Sequence, residues 1–196
     1  MKHITSAVAV SLGLSLSTLF AHAEDATTRP VKNLSNANNS IHWPKGFDPK
    51  EADAFVHNEI WIKAPAKVIW ENLVNAPEWP TWYSNSANIQ IAGPDKSRLQ
   101  ADSAFTWSTF GFPIESKINE FVPGSRLGWF GGGTGIRAYH TWLIIEKGDG
   151  CEVVTEEAQV GPSALKFNVE QPTAMYDGHD WWLTALKVRS ERGASK

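Results

Sequence analysis

Pro172-Thr173-Ala174-Met175-Tyr176-Asp177-Gly178-His179-Asp180-Trp181-Trp182-Leu183-Thr184-Ala185-Leu186-Lys187-Val188-Arg189-Ser190-Glu191-Arg192-Gly193 is the stretch that decides the fold. Met175, His179, Trp182, Leu183, Leu186 and Ser190 fall on one face at a period of 3.6, which predicts a helix of about 18 to 20 residues. Lys187, Arg189 and Arg192 gather at its C-terminal end, where the helix dipole favours cations, and Gly193 suits a C-cap. Upstream the period drops to two. Ala87–Ala92, Ala104–Phe110, Ile114–Phe121, Arg126–Phe130, Arg137–Ile145 and Glu152–Val160 read as strands separated by Gly, Pro and Asp turn signals. Their short connections imply antiparallel hairpins. Before them, Phe55 to Ile62 alternates as a first strand, and Ala64-Pro65 opens a short helix carrying Val68, Ile69, Trp70, Leu73 and Val74. Pro77-Glu78-Trp79-Pro80 breaks that helix, and Thr81-Trp82-Tyr83 forms a second short helical turn. The expected architecture is α+β, a curved antiparallel sheet of about six to seven strands wrapped around the last helix. A sheet gripping a long helix leaves a gap between them, and that gap is where function would reside.

The rest of the chain frames this domain. Of 196 residues, 42% are hydrophobic and 20% charged, which excludes a disordered or fibrous chain. Eighteen Lys+Arg against 21 Asp+Glu give a formal charge of −3, which argues against a nucleic-acid partner. One cysteine, Cys151, excludes an intramolecular disulfide and the multi-Cys zinc sites. Met1-Lys2-His3, the apolar or small run Ile4 to Phe20, and the Ala21-His22-Ala23 box read as a signal peptide, residues 1–23, cleaved after Ala23. The run is too short and too rich in Ser and Thr to favour a membrane anchor. A periplasmic or secreted location follows as an expectation. Residues 24–50 form a polar arm with little structure of its own, whose end is pinned through Trp43-Pro44 and Phe47-Asp48-Pro49. Residues 51–196 form the domain.

The residues also resemble a known family. Glu59-Ile60-Trp61-Ile62-Lys63-Ala64-Pro65-Ala66-Lys67-Val68-Ile69-Trp70, Ala76-Pro77-Glu78-Trp79-Pro80-Thr81-Trp82, Tyr139-His140-Thr141-Trp142, Thr155-Glu156-Glu157 and His179-x-x-Trp182-Leu183-x-x-Leu186-Lys187 are the segments that carry the likeness. They resemble the SRPBCC, or START-like, helix-grip superfamily (Bet v 1-like), in its bacterial polyketide cyclase/dehydrase-like branch. The resemblance spans about residues 54 to 192. It implies the helix-grip fold and a ligand cavity. It does not imply one reaction, because the superfamily mixes carriers, enzymes and receptors.

Strand alternation puts Ala138, His140, Trp142 and Ile144 on one face and Tyr139, Thr141, Leu143 and Ile145 on the other. Both faces are apolar, so periodicity leaves open which one lines the cavity; the resemblance implies that His140 and Trp142 point inward. If Val153 is inward, so is Glu157, and His140 with Glu157 forms a candidate acid/base pair. The alternative is a His140 that satisfies a hydrogen bond inside the core while Glu156 and Glu157 face solvent. Trp107, Trp129, Trp142, Tyr176 and His179 are candidate ligand contacts, for a small hydrophobic or aromatic molecule. Gly178, mid-helix, marks a kink or a close approach of the sheet or a ligand. Trp79 and Trp82 lie in a loop-like segment and are candidates for transient membrane contact. Gly131-Gly132-Gly133-Thr134-Gly135 reads as a flexible hairpin tip or lid. His57 and Glu59 share a strand face but supply two of the three or four ligands a metal needs. No metal or cofactor is expected. Three functions compete: an exported carrier, a cyclase/dehydratase-type enzyme using His140 and Glu157, and an envelope protein contacting lipid or a partner through a Trp-rich loop.

Overall fold

Pro65, with its fixed φ and no amide hydrogen to leave unpaired, starts the first helix directly after the first strand. The computed structural model describes residues 34–194, and the expected signal peptide lies outside them. Strand β1 is Ala54–Ile62, helix α1 is Ala66–Val74, and the short α2 is Trp79–Trp82. Strands β2 (Ser86–Ile91), β3 (Ala104–Thr109), β4 (Phe112–Val122), β5 (Arg126–Gly133), β6 (Ile136–Lys147) and β7 (Gly150–Val160) follow. Two helices close the chain, α3 (Pro162–Glu170) and α4 (Ala174–Ala194). All seven strands form one antiparallel sheet in the order β1-β7-β6-β5-β4-β3-β2. Helix α4 packs against β1 and α1, buried through Met175, Gly178, His179, Trp182, Leu183, Leu186 and Ser190. This is the helix-grip architecture. Among the described residues no helix is long and apolar enough to cross a membrane.

The inner face of the sheet and the helices share an aromatic core. Tyr83 stacks on Trp182 at 4.6 Å and 9°, and Trp79 and Trp142 each meet Trp182 edge-on at 5.1 Å. Such edge and offset contacts add about 0.5–1.5 kcal/mol per pair beyond area burial.

The outer face is covered as well. Phe47 of the arm, with Ala52 just after it, buries against Phe55, Tyr139 and Ala158, and Ile41 of the arm buries against Leu143 and Val154. Trp43 meets Phe55 and Tyr139 edge-on at 6.0 and 5.9 Å. From residue 37 the described arm packs as a second layer over β1, β7, β6 and β5. That is why β6 is apolar on both sides.

Two further expectations change. Gly131, Gly132 and Gly133 are not a loose tip; the first two pair with both β4 and β6, and Gly133 pairs with Ile136 of β6. The turn is confined to Thr134-Gly135. Helix α3 was not signalled by its short, weakly amphipathic sequence, although Pro162 sits at its first turn.

Candidate functional site

Between the sheet, α3 and α4 lies a cavity of about 430 Å³. Trp107 of β3, Trp129 of β5, and Met175 and Trp182 of α4 supply apolar walls. The mouth is framed by the β3–β4 turn and α3, where Phe110 and Phe112 approach Phe167 at ring distances of 6.0 and 6.3 Å. Phe110 adopts a positive φ of 50°, a rare and strained conformation for a bulky residue. Its ring lies on Gly178 of α4, where an added Cβ would overlap it. The mid-helix glycine therefore marks a close approach of the sheet.

One patch of the cavity wall is polar. The register places His140 opposite Glu157, and alternation turns both toward α4. Glu157 Oε2 stands 3.0 Å from His140 Nδ1 and 3.4 Å from His179 Nε2. Glu157 Oε1 accepts a 2.6 Å hydrogen bond from Gln159 Nε2. Gln159 Oε1 in turn accepts from Asn168 Nδ2 at 2.9 Å, which ties the carboxylate to α3. Behind His140, the Thr155 hydroxyl stands 2.8 Å from Nε2 and 3.2 Å from the Thr141 carbonyl oxygen. It has one proton to offer the two of them. His140 is further held between Trp129 at 4.8 Å and Trp142, stacked at 5.4 Å.

Burial pushes the His140 imidazole down to about 4, assisted by the neighbouring His179 and opposed by Glu157. Burial pushes Glu157 up, but hydrogen bonds and charge from the two imidazoles outweigh it and hold the carboxyl well below its usual range. At neutral pH the cluster is thus an ionised carboxylate beside a neutral His140. Tyr83, also on the wall, is pushed up to about 12 by burial and stays a neutral phenol.

A second histidine–glutamate cluster lies on the other side of the same strand. Glu156 Oε1 accepts from Asn38 N at 2.6 Å and meets His57 Nδ1 at 2.7 Å. His57 Nε2 lies 3.4 Å from Glu59 Oε2. Burial pulls His57 down, but Glu156 and Glu59 outweigh it, so its pKa lies above the ordinary 6.5.

Neither a protein-family model nor a curated protein matches the chain. Solved structures do. The hypothetical protein jhp0584 from Helicobacter pylori shares 33% identity over 79% of this chain and 98% of its own, with a TM-score of 0.73. The Zhui aromatase/cyclase from Streptomyces sp. R1128 matches over 70% of this chain and 93% of its own, at 14% identity and a TM-score of 0.60. The di-domain ARO/CYC StfQ from the steffimycin biosynthetic pathway matches over 72% of this chain, at 14% identity and a TM-score of 0.61. The chain spans about half of StfQ, 52% of its length. The chain belongs to the same family as jhp0584, and it shares the helix-grip fold with the polyketide aromatase/cyclases. At 14% identity, Zhui and StfQ share the fold alone with this helix-grip protein.

The structure brings His140, Glu157, His179, Trp107 and Trp129 together on the wall of this helix-grip cavity. Neither glutamate faces solvent: Glu157 faces the cavity, and Glu156 is fully buried under the arm. Two expected ligand contacts are displaced. Trp142 points inward but lies deeper, packed behind His140 and against Trp182, and does not reach the cavity. Tyr176 is one position round the helix from Met175; it is 38% exposed and lies off the cavity. Trp79 is no membrane-facing ring. It is fully buried, its indole N–H donating to the Leu73 carbonyl at 3.1 Å, and Trp82 packs half-buried beside it. Tyr83, Gln159 and Phe167 are wall residues that sequence reasoning did not single out. For Gln159 a signal existed, since it shares a strand face with Glu157.

Proposed function

We propose that this protein is an exported binding protein that holds a small hydrophobic or aromatic molecule, lipid- or polyketide-like, between its sheet and α4. The observation that carries the reading is the cavity. Its volume of about 430 Å³ falls in the range of roughly 300–1,000 Å³ common to small-molecule sites. Indole and phenyl rings wall it, and one charged patch, Glu157 with its two histidines, is available to orient a ligand's polar end. Export rests on the pattern of residues 1–23. Native mass spectrometry of protein purified from a bacterial periplasm tests both parts. The expected spectrum has the mass of a chain cleaved after Ala23 and an adduct in the small-molecule range. The stripped protein should take up one equivalent of the apolar fluorophore anilinonaphthalene sulfonate, and Trp107→Ala should weaken that uptake about tenfold, a loss equivalent to ~1.4 kcal/mol. No adduct and no uptake of the fluorophore would overturn the binding reading; an uncleaved leader would overturn export.

The 3.0 Å contact of His140 with Glu157 favours a second reading, a cyclase- or dehydratase-type enzyme acting on the same class of molecule. His140 is then the acid/base, and Glu157 orients it. The names of Zhui and StfQ point to the same chemistry. Turnover of a poly-β-keto substrate that is lost in His140→Ala decides for the enzyme. Binding without turnover decides for the carrier.

A further inference from the structure

The polar patch on the cavity wall has the makings of a metal site. His140, Glu157 and His179 offer ligand atoms that lie within 4.8 Å of one another. Ligand atoms about 2.0–2.2 Å from a tetrahedral zinc ion are separated by about 3.3–3.6 Å. Of the two carboxylate edges of the cluster, the 3.4 Å edge has that length and the 3.0 Å edge is slightly shorter.

The surrounding hydrogen bonds fit the same arrangement. If the Thr155 hydroxyl donates to the Thr141 carbonyl, its oxygen is free to accept the Nε2 proton of His140. Both bonds are made at once only when the ring proton sits on Nε2. In that tautomer Nδ1 no longer donates to Glu157 as it does in the metal-free cluster, and its lone pair faces the carboxylate oxygen 3.0 Å away. A cation between them would select that tautomer. Metal-bound histidines characteristically donate their far N–H to such an orienting partner. Glu157 is oriented in the same manner, with Oε1 held by Gln159 and Oε2 left for the cluster. His179 is 5% exposed, and its Nδ1 has no hydrogen-bond partner among the described residues. Burying a ring that leaves one nitrogen unpaired costs about 1–3 kcal/mol, so what the other nitrogen does must offset it.

We propose that His140 Nδ1, Glu157 Oε2 and His179 Nε2 bind one divalent first-row transition-metal ion, of the zinc type. Two imidazoles select against magnesium and calcium, which take oxygen ligands. Three protein ligands leave a coordination position open. Here it faces the cavity, where it would meet an oxygen of the bound molecule. This last step builds on the cavity being a ligand site; the metal site itself does not.

The test is titration of chelator-stripped full-length protein with Zn²⁺ by calorimetry and with Co²⁺ by visible absorption. One ion per chain and cobalt d–d bands of nitrogen–oxygen ligation are expected. Long-range ¹H–¹⁵N spectra of the zinc form should place the His140 proton on Nε2. Glu157→Gln and His179→Ala should each weaken zinc at least tenfold. Thr155→Val, which removes only the orienting hydroxyl, should weaken it about 10–100-fold, and Thr155→Ser should restore it. His57→Gln, in the outer cluster, should leave zinc affinity unchanged. Absence of stoichiometric Zn²⁺ in the wild-type protein overturns the proposal, as does a His140 proton on Nδ1 in the zinc form or loss of zinc in His57→Gln instead. Uptake of the apolar fluorophore is measured on the same stripped sample. Fluorophore without zinc removes the metal site and leaves the binding function; zinc without fluorophore does the reverse.

Discussion

Glu156 and Glu157 are neighbours on β7, each is paired with histidine, and they do opposite things. Glu156 faces outward and closes on itself. One oxygen takes both the Asn38 backbone N–H and His57, and the arm seals it from water. Glu157 faces inward and remains open. It shares one oxygen between His140 and His179, and all three residues line the largely apolar cavity. Strand alternation alone separates the two fates. A buried histidine–glutamate pair is therefore not a functional signature by itself. What distinguishes the inner pair is that its free coordination and hydrogen-bonding directions lead into a cavity, whereas those of the outer pair meet no cavity: Glu156 Oε2 is buried under the arm and His57 Nε2 faces Glu59.

The sharpest way to break that contrast is Glu156→Ala. Removing one partner of a sealed pair leaves His57 and the Asn38 N–H stranded, and about 3–5 kcal/mol of stability should be lost in urea denaturation, with fluorophore affinity retained. A loss below about 1 kcal/mol would erase the structural half of the comparison. Trp142→Ala should cost a similar ~3–5 kcal/mol, because the ring packs behind the cavity, and should barely change fluorophore affinity. A large affinity loss at preserved stability would put Trp142 on the wall after all. Gly178→Ala should cost about 1–3 kcal/mol by overpacking against Phe110. Phe110→Ala introduced into that variant should recover most of it, and stopped-flow measurements on either single variant should show faster fluorophore exchange. Additive stabilities in the double variant would disconnect the two residues.

The smallest effect is the pH dependence of the outer cluster. His57 has a folded pKa above its ordinary 6.5, so the stability it adds is fully present below 6.5 and disappears as pH rises through the folded value. The melting-temperature advantage of wild type over His57→Gln should shrink as pH rises above about 6.5. An advantage that grows with pH would reverse the assigned sign.

Much of the architecture was legible because it rests on periodicity. The face of α4 from Met175 to Ser190 is buried as the 3.6 period requires, and Pro65 and Gly150 stand at element starts that local backbone chemistry sets. Which face of β6 looks inward was not legible, because the arm covers the other face with Ile41, Trp43 and Phe47 and removes the polar alternation. Depth along a strand was hidden too. His140 and Trp142 share a face, yet two residues separate the cavity wall from its backing. Tyr176 was misplaced for the same reason on a helix, since one residue turns a side chain by about 100°. The convergence of His179 on Glu157 joins α4 to β7 across the grip and has no local signature.

Gly178 gives the mouth of the cavity an unusual economy. The helix that forms the back wall also supplies the notch against which the front ring rests, so entrance and interior are dimensioned by the same element. A methyl group at that notch would prop the entrance ajar without touching any residue of the polar patch. Access to the chamber and chemistry within it are thereby separately adjustable, one by the size of residue 178 and the other by the trio that meets at Glu157.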